Sequence, residues 1–246
     1  MSRDSSVFLS IIIPAYNEEA RLPGTLEQIA QFLSTQTYSA EVVVVENGST
    51  DRTCEVAQRF AAGHSQFRVI QETQRGKGRA VRTGMLQSCG EYRFMCDADL
   101  SMPINEVNNF LPPNCGDFDI AIASREARGA IRYNEPFYRH LGGRMINTMI
   151  RWAILPGLND TQCGFKCFTR RITEEIFPYQ TMLGWSFDIE LLYIARRRGN
   201  RILEIPIHWH YNPDTKLNAF RDAIKMLSDI LQIRRNSRQG LYDPKP

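Results

Sequence analysis

The sequence predicts an α/β fold, a mostly parallel sheet with helices on both faces and amphipathic helices toward the C-terminal end. Three observations predict it. Short runs rich in Val, Ile and Phe recur at Val7–Ile13, Glu41–Val45, Phe67–Gln71, Tyr92–Cys96 and Phe118–Ala123, each ending in polar or turn residues. Helix-like segments separate the first four: Pro23–Thr35, Asp51–Ala62 and Gly78–Ser88. Strand and helix therefore alternate three times, which predicts right-handed βαβ crossovers and parallel neighbours.

Each element has a local reason. Ser49 or Thr50 stands where an N-cap of the second helix is expected. Beyond residue 124 the alternation stops, and Arg125–Asn134 reads as a polar loop. In Pro136–Ile154, residues Phe137, Leu141, Met145, Ile146, Met149 and Trp152 recur at near-helical intervals. Cys163–Phe168 and Ile202–Trp209 read as two further strands around a helix from about Ser186 to Arg198. A last helix, Leu217–Arg235, sets Phe220, Ile224, Leu227, Ile230 and Leu231 on one stripe beside basic residues. Repeats and low-complexity linkers are absent, so the expected organisation is one domain, 1–214, with a basic amphipathic helix and tail, 215–246.

Composition narrows the class. The chain has 246 residues, 43% hydrophobic and 23% charged, enough for a substantial core. No apolar run approaches the roughly 20 residues of a membrane span. The apolar N-terminal segment is too short and strand-like for a signal peptide, so a cytoplasmic, soluble or peripheral protein is expected. Cys54, Cys89, Cys96, Cys115, Cys163 and Cys167 are scattered without zinc-finger spacing, and reduced thiols are expected. The formal charge of +3 is too small to argue for nucleic acid. Between Arg196 and Pro246, however, eleven Lys/Arg face five Asp/Glu. That end suits an anionic membrane surface, a phosphate-bearing ligand or RNA, or is simply a solvated helix face.

Ligands of such sheets bind beyond the carboxyl ends of the strands. Asp97 and Asp99 sit at one such end, in Tyr92-Arg-Phe-Met-Cys-Asp-Ala-Asp-Leu-Ser101, and alternation puts both carboxylates on one side of an extended chain. Two carboxylates this close either form a solvated acidic turn or recruit a hard divalent cation such as Mg²⁺ or Mn²⁺. Pro14-Ala15-Tyr16-Asn17-Glu18 offers an aromatic ring and hydrogen-bonding groups for a base, or is a plain strand-to-helix turn. Glu46-Asn47-Gly48-Ser49 offers acceptors for uracil or ribose, or a turn feeding a helix cap. Arg75-Gly76-Lys77-Gly78 precedes a helix whose first amides suit phosphate, and Lys77 suits a leaving diphosphate. The loop lacks the third glycine of a dinucleotide fingerprint and the spacing of a P-loop. Asp188 and Glu190 are candidate general bases, or acids that complement a helix dipole. His208 and His210 alternate on a strand and suit a ligand-lining role better than a metal.

Taken in order, SIIIPAYNEEARLP, VVENGSTD, GKGRAVRTGM, DADLSMP, ASRE, DTQCGFKCF, GWSFDIELLYIA and EIPIHWHYNPDTKLN resemble the family 2 inverting glycosyltransferases of GT-A fold. Within them the chain is similar to the branch that makes polyprenyl-phosphate sugars, especially the dolichyl-phosphate β-glucosyltransferases. The resemblance spans about residues 9–220. It implies that Pro14, Ala15, Tyr16, Glu18, Glu46, Gly48, Ser49 and Ala98 surround the nucleotide, that Lys77 approaches the diphosphate, and that Asp97 and Asp99 hold Mg²⁺ or Mn²⁺. Arg125 and Arg139 match positions that bind the acceptor phosphate in the mannose synthases of this family. Glu46-Asn47 stands where two aspartates are frequent, Ser101 where the mannose synthases have a glutamine ligand, and Gly143 where they have a serine. The implied reaction moves a sugar, best matched by UDP-glucose as donor, to a polyprenyl or dolichyl phosphate, with peripheral membrane contact and no nucleic-acid partner. A saccharide acceptor and a sugar nucleotidyltransferase are the rival enzymatic readings. A basic RNA- or membrane-binding module is the non-enzymatic one.

Overall fold

A computed structural model describes residues 7–136, 144, 147–211 and 219–244, the side chains of 219–224 excepted. Nine strands and seven helices are described: β1 (Leu9–Ala15), α1 (Leu22–Ser34), β2 (Ala40–Glu46), α2 (Thr53–Gly63), β3 (Phe67–Gln71), α3 (Lys77–Gln87), β4 (Tyr92–Met95), β5 (Ile120–Ser124) and β6 (Ile131–Tyr133). There follow α4 (147–153), β7 (Lys166–Thr169), α5 (Arg170–Ile176), α6 (Phe187–Arg197), β8 (Ile202–Pro206), β9 (His208–His210) and α7 (Ala219–Arg238). Seven strands form one sheet in the order β3-β2-β1-β4-β7-β5-β8, and β6 pairs with β9 in a separate ribbon. The sheet is parallel except for β7, which runs antiparallel to both β4 and β5.

Alternation along the strands explains the layers. Leu9, Ile11 and Ile13 of β1 face one core with Leu22, Leu26 and Ile29 of α1, Ala57 of α2, and Val107 and Phe110 of a 3₁₀ segment. Ile12 of β1 and Val43 and Val45 of β2 face the other, where Ala80, Val81 and Met85 of α3 meet Ile172 of α5 and Ile189 of α6. Strands buried on both faces have no polar side to show, which is why they read as continuous apolar runs.

Several expectations change. Residues 125–134 are not all loop, because β6 pairs through Ile131 and Tyr133 with His208 and His210. The expected strand Ile202–Trp209 divides at Ile207, its first half joining the main sheet and its second the ribbon. No Ser49 or Thr50 side chain caps α2; Asp51 Oδ1 accepts from the Thr53 N–H at 3.0 Å instead. The α7 stripe is rotated from the expected one: Met226, Ile230 and Ile233 are buried, while Leu227 and Leu231 are 45% and 66% exposed. Met226, Ile230 and Ile233 of α7 pack into the sheet core, and Tyr242 is fully buried. Of the expected helix Pro136–Ile154, Ile150 and Ile154 are buried and Trp152 is 87% exposed; Phe137, Leu141, Met145 and Ile146 lie outside the described residues. All six cysteines are free thiols.

Candidate active site

A cavity of about 460 Å³ opens at the carboxyl ends of β1, β2 and β4. Pro14, Ala15, Tyr16 and Glu18 line it from β1, Asn47 from β2, Gly76 and Lys77 from the start of α3, and Asp97, Ala98 and Asp99 from the end of β4. Arg21, Arg75 and Trp185 complete its wall. The parallel strands end together, so loops far apart in sequence converge at this edge.

Its acidic end is built closely. Lys77 Nζ ion-pairs with Asp97 Oδ1 at 2.7 Å and lies 4.9 Å from the centre of the Trp185 ring. Burial works against the Lys77 charge, but Asp97, Asp188 and Asp99 outweigh it and hold the ammonium above its ordinary pKa. Asp99 Oδ1 accepts from the Ser101 N–H at 3.0 Å, which turns that carboxylate back over its own loop. Asp97 lies directly on Gly164: a Cβ there would fall 1.7 Å from Asp97 Oδ2. Trp185 reaches the cavity because α3 starts with glycines. A Cβ at Gly76 would meet Leu183 O at 2.4 Å, and one at Gly78 would meet Met182 O at 2.8 Å.

The nucleotide-side loops are tied to one another. The Asn17 N–H donates to Ser49 Oγ at 3.0 Å, the Thr50 N–H to Asn17 Oδ1 at 2.8 Å, and the Glu18 N–H to Thr53 Oγ1 at 2.8 Å. Glu18 also pairs with Arg21 at 2.6 Å, and the Arg75 guanidinium lies 4.7 Å from the Tyr16 ring centre. Glu46, Gly48 and Ser49 do not line the cavity. The Ser49 N–H donates to Glu46 Oε1 at 2.5 Å, and Gly48 takes φ +68°, so this trio shapes the turn from behind. Asn47 is the residue of that loop that faces the cavity: it accepts from the Gly76 N–H and donates to Gln74 O, each at 2.8 Å. An aspartate could make only the first of these bonds. The amides of α3 are partly spent, since the Arg79 N–H donates to Leu183 O at 3.2 Å.

The remaining candidates fall elsewhere. Arg125 is engaged by Asp160, Nε to Oδ2 at 2.6 Å and Nη2 to Oδ1 at 2.9 Å, with its own N–H on Oδ2 at 3.0 Å. Against the cost of burial, that guanidinium holds the fully buried Asp160 well below the usual carboxylate range, and the pair keeps Arg125 charged. The guanidinium groups of Arg125 and Arg132 lie 5.4 Å and 5.8 Å from the centre of the Trp209 ring. Arg139 and Gly143 lie outside the described residues. Asp188 pairs with buried Lys166 at 3.1 Å behind Lys77, and burial raises its pKa despite both lysines. Glu190 is buried and accepts from the Thr181 and Met182 N–H groups and the Tyr242 hydroxyl. Neither acid is among the residues that line the cavity. His208 pairs with Glu106 at 3.3 Å and His210 stacks on Tyr133, each on the rim ribbon.

Sequence reasoning missed Arg21, Arg75 and Trp185 as wall residues and Gly164 as the seat of Asp97. Trp185 carries the one available signal, an aromatic residue immediately before the start of α6.

The known proteins agree with this architecture. The sequence model of Glycosyl transferase family 2 matches residues 10–177. Dolichyl-phosphate beta-glucosyltransferase of Saccharomyces cerevisiae is 35% identical over 97% of this chain and 78% of its own length. The Homo sapiens protein of that name is 34% identical over 92% and 74%. Glucosyl-3-phosphoglycerate synthase from Mycobacterium tuberculosis, solved with Mn²⁺, UDP and glucosyl-3-phosphoglycerate, superposes with a TM-score of 0.66 at 17% identity, over 92% of this chain and 79% of that one. The family model spans more than half of the chain and the relatives match nearly all of it, so the chain belongs to glycosyl transferase family 2 and is a glycosyltransferase of GT-A fold.

Proposed function

We propose that this chain transfers glucose from UDP-glucose to a dolichyl or other polyprenyl phosphate with inversion at the anomeric carbon. The observation that carries the reading is the cavity that brings Tyr16, Lys77 and the Asp97-Ala98-Asp99 loop together at the carboxyl edge of the sheet. Relatives at 34–35% identity over nearly the whole chain carry the name of that activity.

Tyr16, Pro14 and Ala15 form the nucleoside end, and Arg75 and Lys77 supply the positive charge at the diphosphate end. Asp97 and Asp99 fit a divalent cation: both carboxylates line the cavity, and Mg²⁺ or Mn²⁺ is commonly held by one or two carboxylates with phosphate and water completing the shell. The relative from Mycobacterium tuberculosis was solved with Mn²⁺ beside UDP. When bound, the ion would stabilise negative charge on the departing diphosphate. A phosphate oxygen of the acceptor attacks the anomeric carbon as the bond from that carbon to the UDP oxygen breaks. The acceptor is already anionic, so the reaction needs no strong general base, in keeping with Asp188 and Glu190 standing off the cavity. Arg125, fixed by Asp160, and Arg139 are assigned to the acceptor phosphate.

Access to a lipid acceptor calls for a membrane-facing surface. Trp152, Leu227 and Leu231 are exposed, Lys225 and Arg151 are exposed with them, and Arg234 donates to Ala153 O, which joins α7 to the end of α4. An apolar patch with basic residues suits the surface of an anionic bilayer. Among the described residues no helix is long and apolar enough to cross a membrane.

The test is transfer from UDP-glucose to a short polyprenyl phosphate with Mn²⁺. The lipid-linked glucose and UDP should appear together, and Asp97→Ala or Asp99→Ala should lower turnover by about 10²–10³-fold. Release of pyrophosphate from a sugar-1-phosphate and a nucleoside triphosphate, or transfer to a saccharide only, would replace the reading.

A further inference from the structure

Lys77 occupies a place that the donor reading needs twice. Its ammonium sits 2.7 Å from Asp97 Oδ1 and under the Trp185 ring, although Asp97 is one of the two carboxylates assigned to the cation. Both groups are largely enclosed, with the Lys77 side chain 17% and the Asp97 side chain 26% exposed, so the pair is a defined part of the site. Asp97 is short and packs against Gly164 on one side, whereas Lys77 hangs on a flexible four-carbon stem. Of the two partners, Lys77 is the one with the longer reach.

Resting on the donor reading, we propose that Lys77 is a tethered stand-in for the divalent cation, one that yields Asp97 to the metal and takes the diphosphate as its new partner. Without metal, Lys77 neutralises one of the two charges of Asp97 and Asp99 and keeps a buried carboxylate paired. A metal ion arriving alone meets a site of net charge −1 and must leave the ammonium without a partner. A metal ion arriving with a nucleoside diphosphate brings that partner along. Metal and nucleotide therefore bind cooperatively, and beyond the metal's direct bonds to phosphate a share of the coupling runs through this one side chain. Trp185 belongs to the same device, since its ring face supports the ammonium where it waits.

The experiment is Mn²⁺ binding to the full chain by electron paramagnetic resonance or calorimetry, with and without UDP. Wild type should bind Mn²⁺ weakly alone and at least tenfold more tightly with UDP. Lys77→Met should bind Mn²⁺ alone at least tenfold more tightly than wild type, and the further gain from UDP should be smaller than in wild type. Lys77→Gln gives the same answer should the Met variant fold poorly, and Lys77→Arg, which keeps the charge, should behave as wild type. Mn²⁺ affinity without nucleotide that is unchanged or weakened in both neutral variants would overturn the proposal while leaving the donor reading standing. Absence of UDP binding to wild type at saturating Mn²⁺ would instead strike the donor reading.

Discussion

Gly164→Ala tests how the acidic end of the site is held. A Cβ at this position would stand 1.7 Å from Asp97 Oδ2 and 2.4 Å from its Cγ. Non-bonded contact needs about 3.5 Å, so the carboxylate must retreat by about 1.8 Å. It is the far end of a flexible side chain, and the rotation costs about 1 kcal/mol. A change of that size moves the melting temperature of a chain this long by roughly 2–4 °C. Catalysis is far less tolerant: a misplacement of about 1 Å can cost roughly 10²-fold. The expected result is a fall in kcat/KM for glucosyl transfer of about 10²-fold or more in a protein that melts almost normally. Gly24→Ala on α1, where nothing lies within 4 Å of the added Cβ, is the control and should leave activity unchanged. If Gly164→Ala transfers glucose within about threefold of wild type, the carboxylate does not need its present seat and the assignment of Asp97 falls.

Three further outcomes follow from other contacts. Asp160→Asn leaves the Arg125 guanidinium without its anionic partner and should cost about 3–5 kcal/mol in urea unfolding. Because the Asp160 pKa is depressed in the folded state, its contribution is complete above the ordinary carboxylate value and disappears as pH falls through the lower folded value. The acid limb of the stability profile should therefore flatten in this variant. Glu190→Gln cannot accept all the bonds from Thr181, Met182 and Tyr242, and should lose about 1–3 kcal/mol, with faster hydrogen exchange at residues 181–182 and 240–243. Trp152→Ser combined with Leu231→Ser should lower flotation with anionic lipid vesicles at least about tenfold without changing UDP binding, since each side chain of this size contributes about 1.5–3 kcal/mol on burial.

How much was legible depends on whether a residue acts through its own neighbours. Phe67–Gln71 has the strand bounds read from the sequence, although it is a partly buried edge strand, because Phe, Val and Ile cluster there between polar residues. Lys77, Asp97 and Asp99 reach the cavity because strand ends are where such loops must go. Glu46 and Ser49 stand behind the cavity wall, and a carboxylate that accepts from a backbone N–H of its own turn looks the same in sequence as one that binds a ligand. Gly164 and Asp160 were silent for the opposite reason. One acts by having no side chain, and the other by meeting an arginine 35 positions away. The α7 stripe was misplaced because Met226 and Leu227 are both apolar, and only the packed sheet decides which of two adjacent faces is covered.

The antiparallel strand β7 has a consequence for how the molecule is made. β4 and β5 share no ladder; each is paired to β7, which lies more than forty residues after β5 in the chain. Until ribosomal synthesis has delivered Lys166–Thr169, β4 keeps one bare flank and β5, whose other partner β8 comes later still, has no strand to pair with. The loop that seats Asp97 arrives on the same late segment. A nascent chain therefore stays inert until its last third emerges, and a truncation before residue 164 yields an unfinished sheet with an open edge rather than a smaller enzyme.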